Sequence, residues 1–208
     1  KDRRAGEVEV LLTLVQRNDQ ILPDCSQALR RRALRQLSAA GIRVETASAV
    51  RQVATDRLIL EDGAPLPADL VVWATGATPP PLLKALGLPL DERGFLLTDR
   101  TLKSTADAPI FAVGDSGTIF DEQLAKAGVF AVRQGPILWE NLRRVLEGDP
   151  LQSYRPQRRF LKLLNCGDGT ALGEYGSIAF HGRWVWKLKD RIDTRFVEKY
   201  QTLKSGVR

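Results

Sequence analysis

The most informative segment of this chain, called the deciding stretch below, is Ile110-Phe111-Ala112-Val113-Gly114-Asp115, an apolar run that stops on a glycine and a carboxylate. Continuous apolar runs are typical of buried parallel strands, and open α/β sheets bind ligands beyond the carboxyl ends of their strands. In that position Gly114 would let a ligand approach the backbone closely, and Asp115 would accept hydrogen bonds from sugar-like hydroxyls. A helix N-cap is the other role that suits Asp115.

A second strand ending of this kind lies upstream, where the sequence LVVWATGA runs from Leu70 to Ala77. It predicts a strand over 70–74 and a turn at Gly76 and Ala77. A simple tight turn would also explain Gly76, but two such strand endings in one chain are less likely to occur by chance than one. The pair therefore favours a ligand site near both endings.

In the order of its two endings the chain resembles the pyridine nucleotide-disulfide oxidoreductase superfamily, flavoproteins with two dinucleotide-binding domains. The resemblance implies an α/β fold, namely the C-terminal portion of such an FAD/NAD(P) flavoprotein with a small α+β C-terminal region. It also implies that the Ala-Thr-Gly segment at 74–76 closes the NAD domain and returns the chain to the FAD domain. Gly114 and Asp115 would then contact the ribityl chain of FAD, and Gly76 and Ala77 would lie near the cofactor.

The closer resemblance is to the type II NADH dehydrogenase-like branch found beside, or fused to, selenophosphate synthetase. Four stretches carry it, KAGVFAVRQGP at 126–136, YRPQ at 154–157, GDG at 167–169 and WKLKDRID at 186–193. The resemblance implies FAD and NAD(P)H as cofactors, hydride transfer from NAD(P)H to FAD, and a quinone or another small molecule as electron acceptor. It also implies selenophosphate synthetase as a partner or fused domain.

The helix that is predicted to begin near Lys126 adds a third part of the site. In the resembling flavoproteins this helix start faces the pyrimidine end of the isoalloxazine, where reduced flavin carries its negative charge. By that resemblance the N–H groups of Ala127, Gly128 and Val129 tune the flavin, because the N-terminal end of a helix stabilises negative charge. The alternative is a plain helix start with Lys126 in solvent, and Gln134 is predicted to anchor the packing of the helix.

The end of the first predicted strand bears on the choice of nicotinamide nucleotide. Residues 7–15 are strand-like, with a buried strand over 11–15, and Gln16 and Arg17 follow. Members of the superfamily that use NADH often carry an acid there for the ribose hydroxyls, so this departure puts a preference for NADH in doubt. Arg17 would instead bind the extra phosphate of NADPH through its guanidinium, or lie exposed in a loop.

Two alternative functions stay open at the level of sequence. A sulfide:quinone oxidoreductase would need a second thiol near Cys166, and buried, inert thiols are the favoured interpretation of both Cys25 and Cys166. A non-catalytic interaction or regulatory module attached to selenophosphate synthetase is the other alternative. His181 is the only histidine, so the sequence predicts no metal site. The resemblance implies that the flavin carries the chemistry, so no residue is predicted as a catalytic acid or base.

Glycine and proline residues divide the chain into three predicted parts. By the same resemblance, 1–78 is the second half of the NAD(P)-binding domain, 79–150 is the C-terminal part of the FAD-binding domain, and 151–208 is a C-terminal strand-plus-helix region. Helices are predicted over 26–40, 128–147 and 183–200. Short strands are predicted over 42–45, 49–53, 57–60, 160–164 and 176–180.

Length and composition narrow the possibilities further. The chain has 208 residues, contains no methionine and has no Gly-x-Gly-x-x-Gly phosphate-binding turn. Because that turn binds the pyrophosphate of a dinucleotide at a helix N-terminus, we expect the chain to be a fragment of a longer polypeptide that binds FAD weakly by itself. Such a fragment would expose apolar sheet edges, which predicts a homo-oligomer.

The formal charge of +6 and the run Arg30–Arg32 are compatible with an anionic partner, but a solvated helix face is the favoured interpretation, and no nucleic-acid partner is predicted. No apolar stretch reaches the roughly 18 residues that span a membrane, and no signal-peptide pattern opens the chain. With two widely separated cysteines, these features predict a cytoplasmic protein. The basic, Trp-rich final helix would allow peripheral contact with the inner membrane face.

Overall fold

The structure is a computed structural model that describes residues 10–106, 108–122 and 124–201. Contacts divide the described chain into two compact units. One unit contains the residues up to Val72 together with those from Arg159 onward, and the other contains Trp73–Arg158. The three-part division at residues 78 and 150 names cofactor-binding domains, which contacts alone do not test, and it stays a prediction.

The first unit opens with a strand–helix–strand segment. Strand β1 (Thr13–Val15) pairs in parallel with β2 (Arg43–Glu45), and α1 (Gln27–Ala39) connects them. The hydroxyl of Ser26 caps α1 by accepting the N–H of Leu29 at 3.2 Å. The predicted helix and the α/β character of this region are confirmed.

Strand β1 differs from the prediction in its burial. Leu11 is 84% exposed and Leu14 is 40% exposed, although the apolar run at 11–15 predicted a buried strand. A parallel strand is buried where neighbouring elements cover both of its faces, and β2 is the one strand that pairs with β1 in the described chain. The predicted strand residues Glu7–Glu9 lie outside the described residues.

A small antiparallel sheet follows. Strands β3 (Val50–Val53), β4 (Arg57–Leu60) and β5 (Pro65–Pro67) pair in sequence order. A turn at 61–63 joins β4 to β5. Strand β5 was not predicted, because two prolines flank its single leucine and proline is depleted in strands.

The predicted strand at Leu70–Ala74 is wrong. This segment forms no strand, and Leu70 and Val72 are 83% and 78% exposed. An apolar run indicates that a segment suits burial, but it does not supply the hydrogen-bonded neighbour that a strand needs. Among the described residues no strand pairs with this segment.

The second unit contains a short helix and a two-stranded sheet. Helix α2 (Pro81–Ala85) begins with a proline, which suits the first turn of a helix because the proline nitrogen needs no acceptor there. Strand β6 (Leu96–Thr98) pairs in parallel with β7 (Gly117–Ile119). Neither of these three-residue strands was predicted.

The deciding stretch at 110–115 is extended, but it is not a regular strand. Phe111 makes an isolated bridge, and the N–H of Ala112 donates to the carbonyl of Leu102 at 3.0 Å. The run packs against a buried apolar cluster that consists of Leu102, Ile119 and Tyr154. The predicted strand is therefore wrong in its hydrogen bonding, whereas its packing into the core is confirmed.

Helix α3 (Gly128–Glu147) has the predicted bounds. It ends at Gly148, whose φ of +74° is the left-handed conformation that commonly follows a helix. The buried amide of Asn141 donates to the carbonyls of Thr101 at 2.8 Å and Gln152 at 2.9 Å. These bonds attach the middle of α3 to two loops of the same unit.

The chain then returns to the first unit. Strands β8 (Lys162–Asn165), β9 (Ala171–Tyr175) and β10 (Ile178–Gly182) form an antiparallel sheet with β9 in the middle, and α4 (Arg183–Gln201) follows β10 directly. The predicted strands β8 and β10 and the final helix are confirmed. None of the helices in the described ranges combines the length and the apolar character that crossing a membrane requires.

Strand β9 was not predicted, because Gly173 lies at its centre and glycine is depleted in strands. The ring of Phe180 on β10 lies 2.0 Å from the position that a Cβ atom at residue 173 would occupy. Only glycine therefore fits there. The residue marks the close packing of two strands rather than a turn.

Helix α1 and the C-terminal sheet share one apolar core, whose buried members are Ile21, Leu29, Ala33 and Leu172. A buried carboxylate on β9 also joins the two elements. Glu174 accepts the backbone N–H of Ser26 at 2.8 Å and the ammonium of Lys162 at 3.2 Å. The sheet thereby holds the N-terminal end of α1.

Candidate cofactor site

A tight turn at Gly114–Ser116 ends the deciding stretch. It forms one turn of 3₁₀ helix, in which Gly114 has a φ of +58°, a left-handed conformation that favours glycine. A Cβ atom at position 114 would lie 2.9 Å from the Cβ of Ala131 on α3. The glycine therefore allows the turn to pack directly against the start of α3.

A side-chain hydrogen bond fixes this contact. The N–H of Gly114 donates to Oε1 of Gln134 at 2.6 Å, and Gln134 is 5% exposed. Leaving a buried amide or a backbone donor unpaired is costly, so the bond holds the turn and the helix in one arrangement. The predicted anchoring role of Gln134 is confirmed.

Asp115 is exposed within this turn. The N-cap of the turn is Val113 and the N-cap of α3 is Ala127, so the helix N-cap interpretation of Asp115 is wrong. In the described chain its carboxylate accepts no hydrogen bond. Its two oxygens are therefore available to hydroxyl groups of a ligand.

The N-terminus of α3 lies against the same turn. Ala127 offers no side-chain acceptor as N-cap, and the first helical turn carries no acidic residue. Gly128 is exposed, and a Cβ atom there would meet no atom within 4 Å. The N–H groups at the helix start and the positive end of its dipole are thus left for a negatively charged ligand. The predicted helix start at Ala127, Gly128 and Val129 is confirmed, and its contact with a cofactor stays a prediction.

Lys126 does not lie in solvent, although the plain helix start considered as the alternative would leave it there. Its ammonium donates to the carbonyl of Gly117 at 2.6 Å and to the hydroxyl of Thr118 at 3.1 Å. It also lies 4.2 Å from the centroid of the Phe95 ring, within the range of a cation–π interaction. The ammonium is therefore held in place immediately before α3.

A carboxylate is connected to this ammonium through one hydroxyl. Asp91 accepts the hydroxyl of Thr118 at 2.8 Å and the N–H of Phe95 at 2.9 Å. Burial raises the pKa of Asp91, but the hydrogen bonds from Phe95 and Thr118 outweigh it and lower the pKa overall. Burial lowers the pKa of Lys126, and the negative charges of Asp91 and Asp115 oppose that shift.

Phe95 links the second strand ending to the same region. Its buried ring contacts Lys126 and also Arg93, whose guanidinium carbon lies 5.0 Å from the ring centroid. Arg93 in turn donates to the carbonyl of Ala77 at 3.4 Å. Gly76 beside it is exposed. Gly76 and Ala77 thus lie in the same unit as Gly114 and Asp115.

Sequence reasoning missed Asp91, Arg93 and Phe95 as parts of this region. The sequence feature that could have indicated them is the pair Asp91 and Gly94, which is typical of a turn. The carboxylate of Asp91 accepts the backbone N–H groups of residues 93 and 95 in this turn. That signal predicts an ordered turn. It does not reveal which distant residues the turn contacts.

The remaining predicted site residue lies in the first unit. Arg17 follows β1 and is exposed in a bend, and no ion pair involves it in the described part of the chain. His181 lies with Nε2 2.9 Å from the hydroxyl of Thr170 in the β9–β10 region, which suits a packing role. Within the described ranges no group of three or more His, Cys, Asp or Glu residues could hold a metal ion.

Both cysteines, Cys25 and Cys166, are free thiols that pack against the apolar core of the first unit. Burial raises the pKa of the Cys25 thiol, and the ammonium of Lys162, 3.8 Å from its sulfur, opposes that shift. Because the thiolate is the reactive form, a raised pKa makes Cys25 a poor nucleophile.

The residues present fit the flavin that the resemblance implies. A ribityl chain offers hydroxyl donors, and Asp115 has acceptor oxygens without a partner in the described chain. A reduced flavin carries negative charge, and the start of α3 presents N–H groups with no side-chain cap. Asp115 and the start of α3 thus suit the ribityl chain and the isoalloxazine, and the contact of either with the cofactor stays a prediction.

Curated relatives are quinone reductases and alternative dehydrogenases. The internal alternative NAD(P)H-ubiquinone oxidoreductase A1 of Solanum tuberosum is 29% identical over 83% of this chain and 34% of its own length. The type II NADH:quinone oxidoreductase of Haemophilus influenzae is 28% identical over 78% and 37%, respectively. The demethylphylloquinone reductase NdbB of Synechocystis is 30% identical over 80% and 41%. The chain thus spans between 34% and 41% of the length of these three relatives.

Solved structures share the fold. The sulfide:quinone oxidoreductase of Aquifex aeolicus superposes with a TM-score of 0.73 over 90% of this chain and 49% of that chain, at 15% identity. An FAD-dependent pyridine nucleotide-disulphide oxidoreductase from Desulfovibrio vulgaris superposes with a TM-score of 0.59 over 79% and 42%, at 28% identity. The first similarity concerns the fold alone.

A family match joins these observations, because residues 4–135, well over half of the chain, match the pattern of the pyridine nucleotide-disulphide oxidoreductases. Members of that family use FAD and NAD(P)H. The β1–α1–β2 segment, the turn at Gly114 and Asp115 and the helix start at Gly128 all lie in the matched region. The chain belongs to the pyridine nucleotide-disulphide oxidoreductase family.

Proposed function

We propose that the chain forms part of an FAD-dependent NAD(P)H oxidoreductase of the type II NADH dehydrogenase kind, with a quinone as electron acceptor. The observation that carries this proposal is the bond between Gly114 and Gln134, which holds the turn with Asp115 against the uncapped start of α3. The printed names of the relatives, NAD(P)H-ubiquinone and NADH:quinone oxidoreductases, support the reaction class.

Each part of the site has one task in this reaction. FAD, when bound, supplies the chemistry of accepting a hydride and passing electrons on. Asp115 binds ribityl hydroxyls and so orients the cofactor. The N–H groups of Ala127, Gly128 and Val129 stabilise the negative charge that develops on reduction, because they point out of the positive end of the helix.

The nicotinamide nucleotide has fewer determinants in this chain. We assign Gly76 and Ala77 to the surroundings of the cofactor, since the exposed Gly76 leaves backbone open to close approach. We assign Arg17 to the extra phosphate of NADPH, because its guanidinium is exposed and has no acid partner in the described chain.

A donor comparison tests this function. The full-length protein, purified natively, is mixed with NADH or NADPH and a soluble quinone, and oxidation of the nucleotide is followed with time. The proposal predicts quinone-dependent oxidation, with NADPH used at least as well as NADH. Replacement of Arg17 by Glu should shift the preference towards NADH. A flavin-containing protein that oxidises neither nucleotide would refute the reaction.

Sulfide:quinone oxidoreductase is the second candidate enzyme, and one observation favours it. Cys25 and Cys166 pack against the same apolar cluster, so the two thiols that such chemistry needs lie in one unit. The raised pKa of Cys25 weighs against it. Sulfide-dependent reduction of a quinone that is lost in Cys166→Ser would establish this alternative, and turnover with NAD(P)H that is unchanged in Cys166→Ser would exclude it.

An association with selenophosphate synthetase is a further proposal, supported by the four stretches that resemble the branch found beside that enzyme. In one version of this proposal the chain is a non-catalytic module attached to the synthetase, and this version is the alternative to an oxidoreductase. Size-exclusion chromatography of the two purified proteins, mixed and separate, tests the association. A complex with a colourless chain would favour the module, and a complex with a flavin-containing chain would favour an attached enzyme.

We propose that the protein is cytoplasmic and contacts the inner membrane face through α4. Trp184, Ile192 and Phe196 are exposed on this helix, among basic residues that suit anionic lipids. Two free thiols agree with a reducing compartment. Co-sedimentation with anionic vesicles, weakened in Trp184→Glu, is the expected result. Equal sedimentation with and without vesicles would contradict the membrane contact.

A further inference from the structure

We propose that Lys126 raises the reduction potential of the bound flavin by holding a fixed positive charge directly behind the start of α3. The inference rests on the proposed function, because it concerns the same FAD site. The sequence resemblance attributes tuning of the flavin to backbone N–H groups. Our inference adds the side chain of Lys126 to those N–H groups.

The ammonium of Lys126 is held in a fixed position. It donates to the carbonyl of Gly117 at 2.6 Å and to the hydroxyl of Thr118 at 3.1 Å, and it lies 4.2 Å from the ring centroid of the buried Phe95. A surface lysine samples many rotamers and is screened by water and salt. Lys126 instead has three partners in one half-buried location, so its charge acts from a constant position.

No acid in the described chain is paired directly with this charge. Both hydrogen-bond acceptors of Lys126 are neutral oxygens, and no salt bridge involves it in the described chain. The nearest connected carboxylate, that of Asp91, is reached through the hydroxyl of Thr118. A positive electrostatic field therefore remains around Lys126.

The ammonium also lies beside the turn that packs against α3. It is 2.6 Å from the carbonyl of Gly117, the residue that follows the Gly114–Ser116 turn, and Lys126 itself directly precedes Ala127, the N-cap of α3. The ammonium and the helix dipole thus place positive charge at the same end of α3, where the first turn contains no acid. Both should favour the reduced, negatively charged flavin over the oxidised, neutral one.

A rough magnitude follows from Coulomb attraction. Two unit charges about 10 Å apart, in surroundings with an effective dielectric constant of about 20, change an equilibrium constant roughly tenfold. For a two-electron couple, a tenfold change corresponds to about 30 mV. Removing the ammonium should therefore lower the flavin potential by about that amount.

The test is a redox titration of the full-length, FAD-loaded protein against reference dyes. Lys126→Met should lower the potential by about 30 mV, equivalent to a tenfold change, and should weaken the sulfite adduct of the flavin roughly tenfold, because that adduct is also anionic. Lys126→Arg should keep the wild-type values. Lys84→Met, which removes an exposed lysine from α2 in the same unit, is the matched control and should leave the potential unchanged.

Asp91→Asn separates the effect of charge from a structural effect. Removing this negative charge leaves the field of Lys126 less opposed, so the potential should rise, opposite to the change in Lys126→Met. Damage to the fold would not produce shifts of opposite sign. Should Lys126→Met fail to retain FAD, Asp91→Asn decides, since a raised potential supports the inference and an unchanged one overturns it.

Failure of the inference and failure of the proposed function give different results. If the wild-type protein binds no FAD, the proposed function is wrong and the inference is wrong with it. If the wild type binds FAD and Lys126→Met retains both FAD and the wild-type potential, only the inference is wrong.

Discussion

Two constraints act together on Gly114. Its φ of +58° strains any side chain, and a Cβ atom would come within 2.9 Å of the Cβ of Ala131. Its N–H is also the donor to Gln134. One residue thus sets the backbone geometry, the packing distance and the hydrogen bond that brings Asp115 to the start of α3.

Gly114→Ala should therefore separate the turn from the helix. We expect a loss of about 1–3 kcal/mol in the free energy of unfolding, from backbone strain and the close contact, and weaker binding of FAD. Urea denaturation and flavin fluorescence titration measure the two effects. Gly135→Ala within α3 is the control, since a Cβ atom there meets nothing within 4 Å and alanine favours a helix. Equal stability of the two variants would contradict this account of the turn.

Asp115 should matter for the ligand and not for the fold. Because its carboxylate is exposed and makes no hydrogen bond in the described chain, Asp115→Ala should leave the free energy of unfolding within about 0.5 kcal/mol of wild type. Loss of hydrogen bonds to a charged acceptor should raise the dissociation constant of FAD about 10- to 100-fold. Glu92→Ala, at another exposed acid of the same unit, should change neither value. Unchanged FAD binding in Asp115→Ala would remove Asp115 from the site.

At the level of elements, Glu174 joins α1 to the C-terminal sheet. The carboxylate is 3% exposed and is bonded to Ser26 and Lys162. Burial raises its pKa, but the bonds from Ser26 and Lys162 outweigh burial, so the pKa is lowered overall. The charged form is therefore the one that stabilises the folded state.

Glu174→Gln should destabilise the protein by about 2 kcal/mol at neutral pH, since hydrogen bonds to a charged group are lost. A lowered folded pKa means that this contribution is present above the unfolded value of about 4.3 and is lost as the pH falls through the folded pKa. The difference between wild type and variant should consequently shrink in acid. Urea denaturation at several pH values measures it, with the exposed Glu61→Gln as control. A difference that is independent of pH down to the acid transition would contradict the assigned role.

Some helices and strands could be predicted from the sequence and others could not. Helix α1 begins at the capping residue Ser26, and α3 ends before Gly148. Caps are local signals, so the sequence alone reveals them. Strands β6 and β7, each three residues long, pair with each other across a long intervening segment, with Leu96 opposite Gly117. The apolar run at 70–74 suited a strand equally well and forms none.

The candidate site also has parts that could be predicted from the sequence and parts that could not. The backbone elements at Gly114 and Gly128 were predicted, because glycine and helix starts have local signatures. The network of Asp91, Phe95, Thr118 and Lys126 was not predicted, since it forms only when three separate segments, 91–95, 117–118 and Lys126, meet. Long-range contacts of single side chains leave no periodic pattern in the sequence.

At the level of the whole molecule, exposed apolar residues predict self-association through the first unit. Leu11, Leu70 and Val72 are largely exposed there. In the described chain β1 pairs with β2 alone, which leaves a sheet edge that another chain can pair with. We expect the sedimentation coefficient to rise with concentration, and the rise to diminish in Leu70→Asp. Leu146→Asp, at an equally exposed leucine in the second unit, should have no effect. A strictly monomeric profile at high concentration would contradict homo-oligomer formation.

The family match, the turn at Asp115 and the open start of α3 support the proposal that the full-length protein is a flavoprotein that NAD(P)H reduces. The decisive measurement is the visible absorption spectrum of the natively purified protein, recorded under anaerobic conditions before and after addition of NADH or NADPH. We expect flavin bands that bleach when the nucleotide is added. A colourless protein that cannot be reconstituted with FAD would refute the proposal.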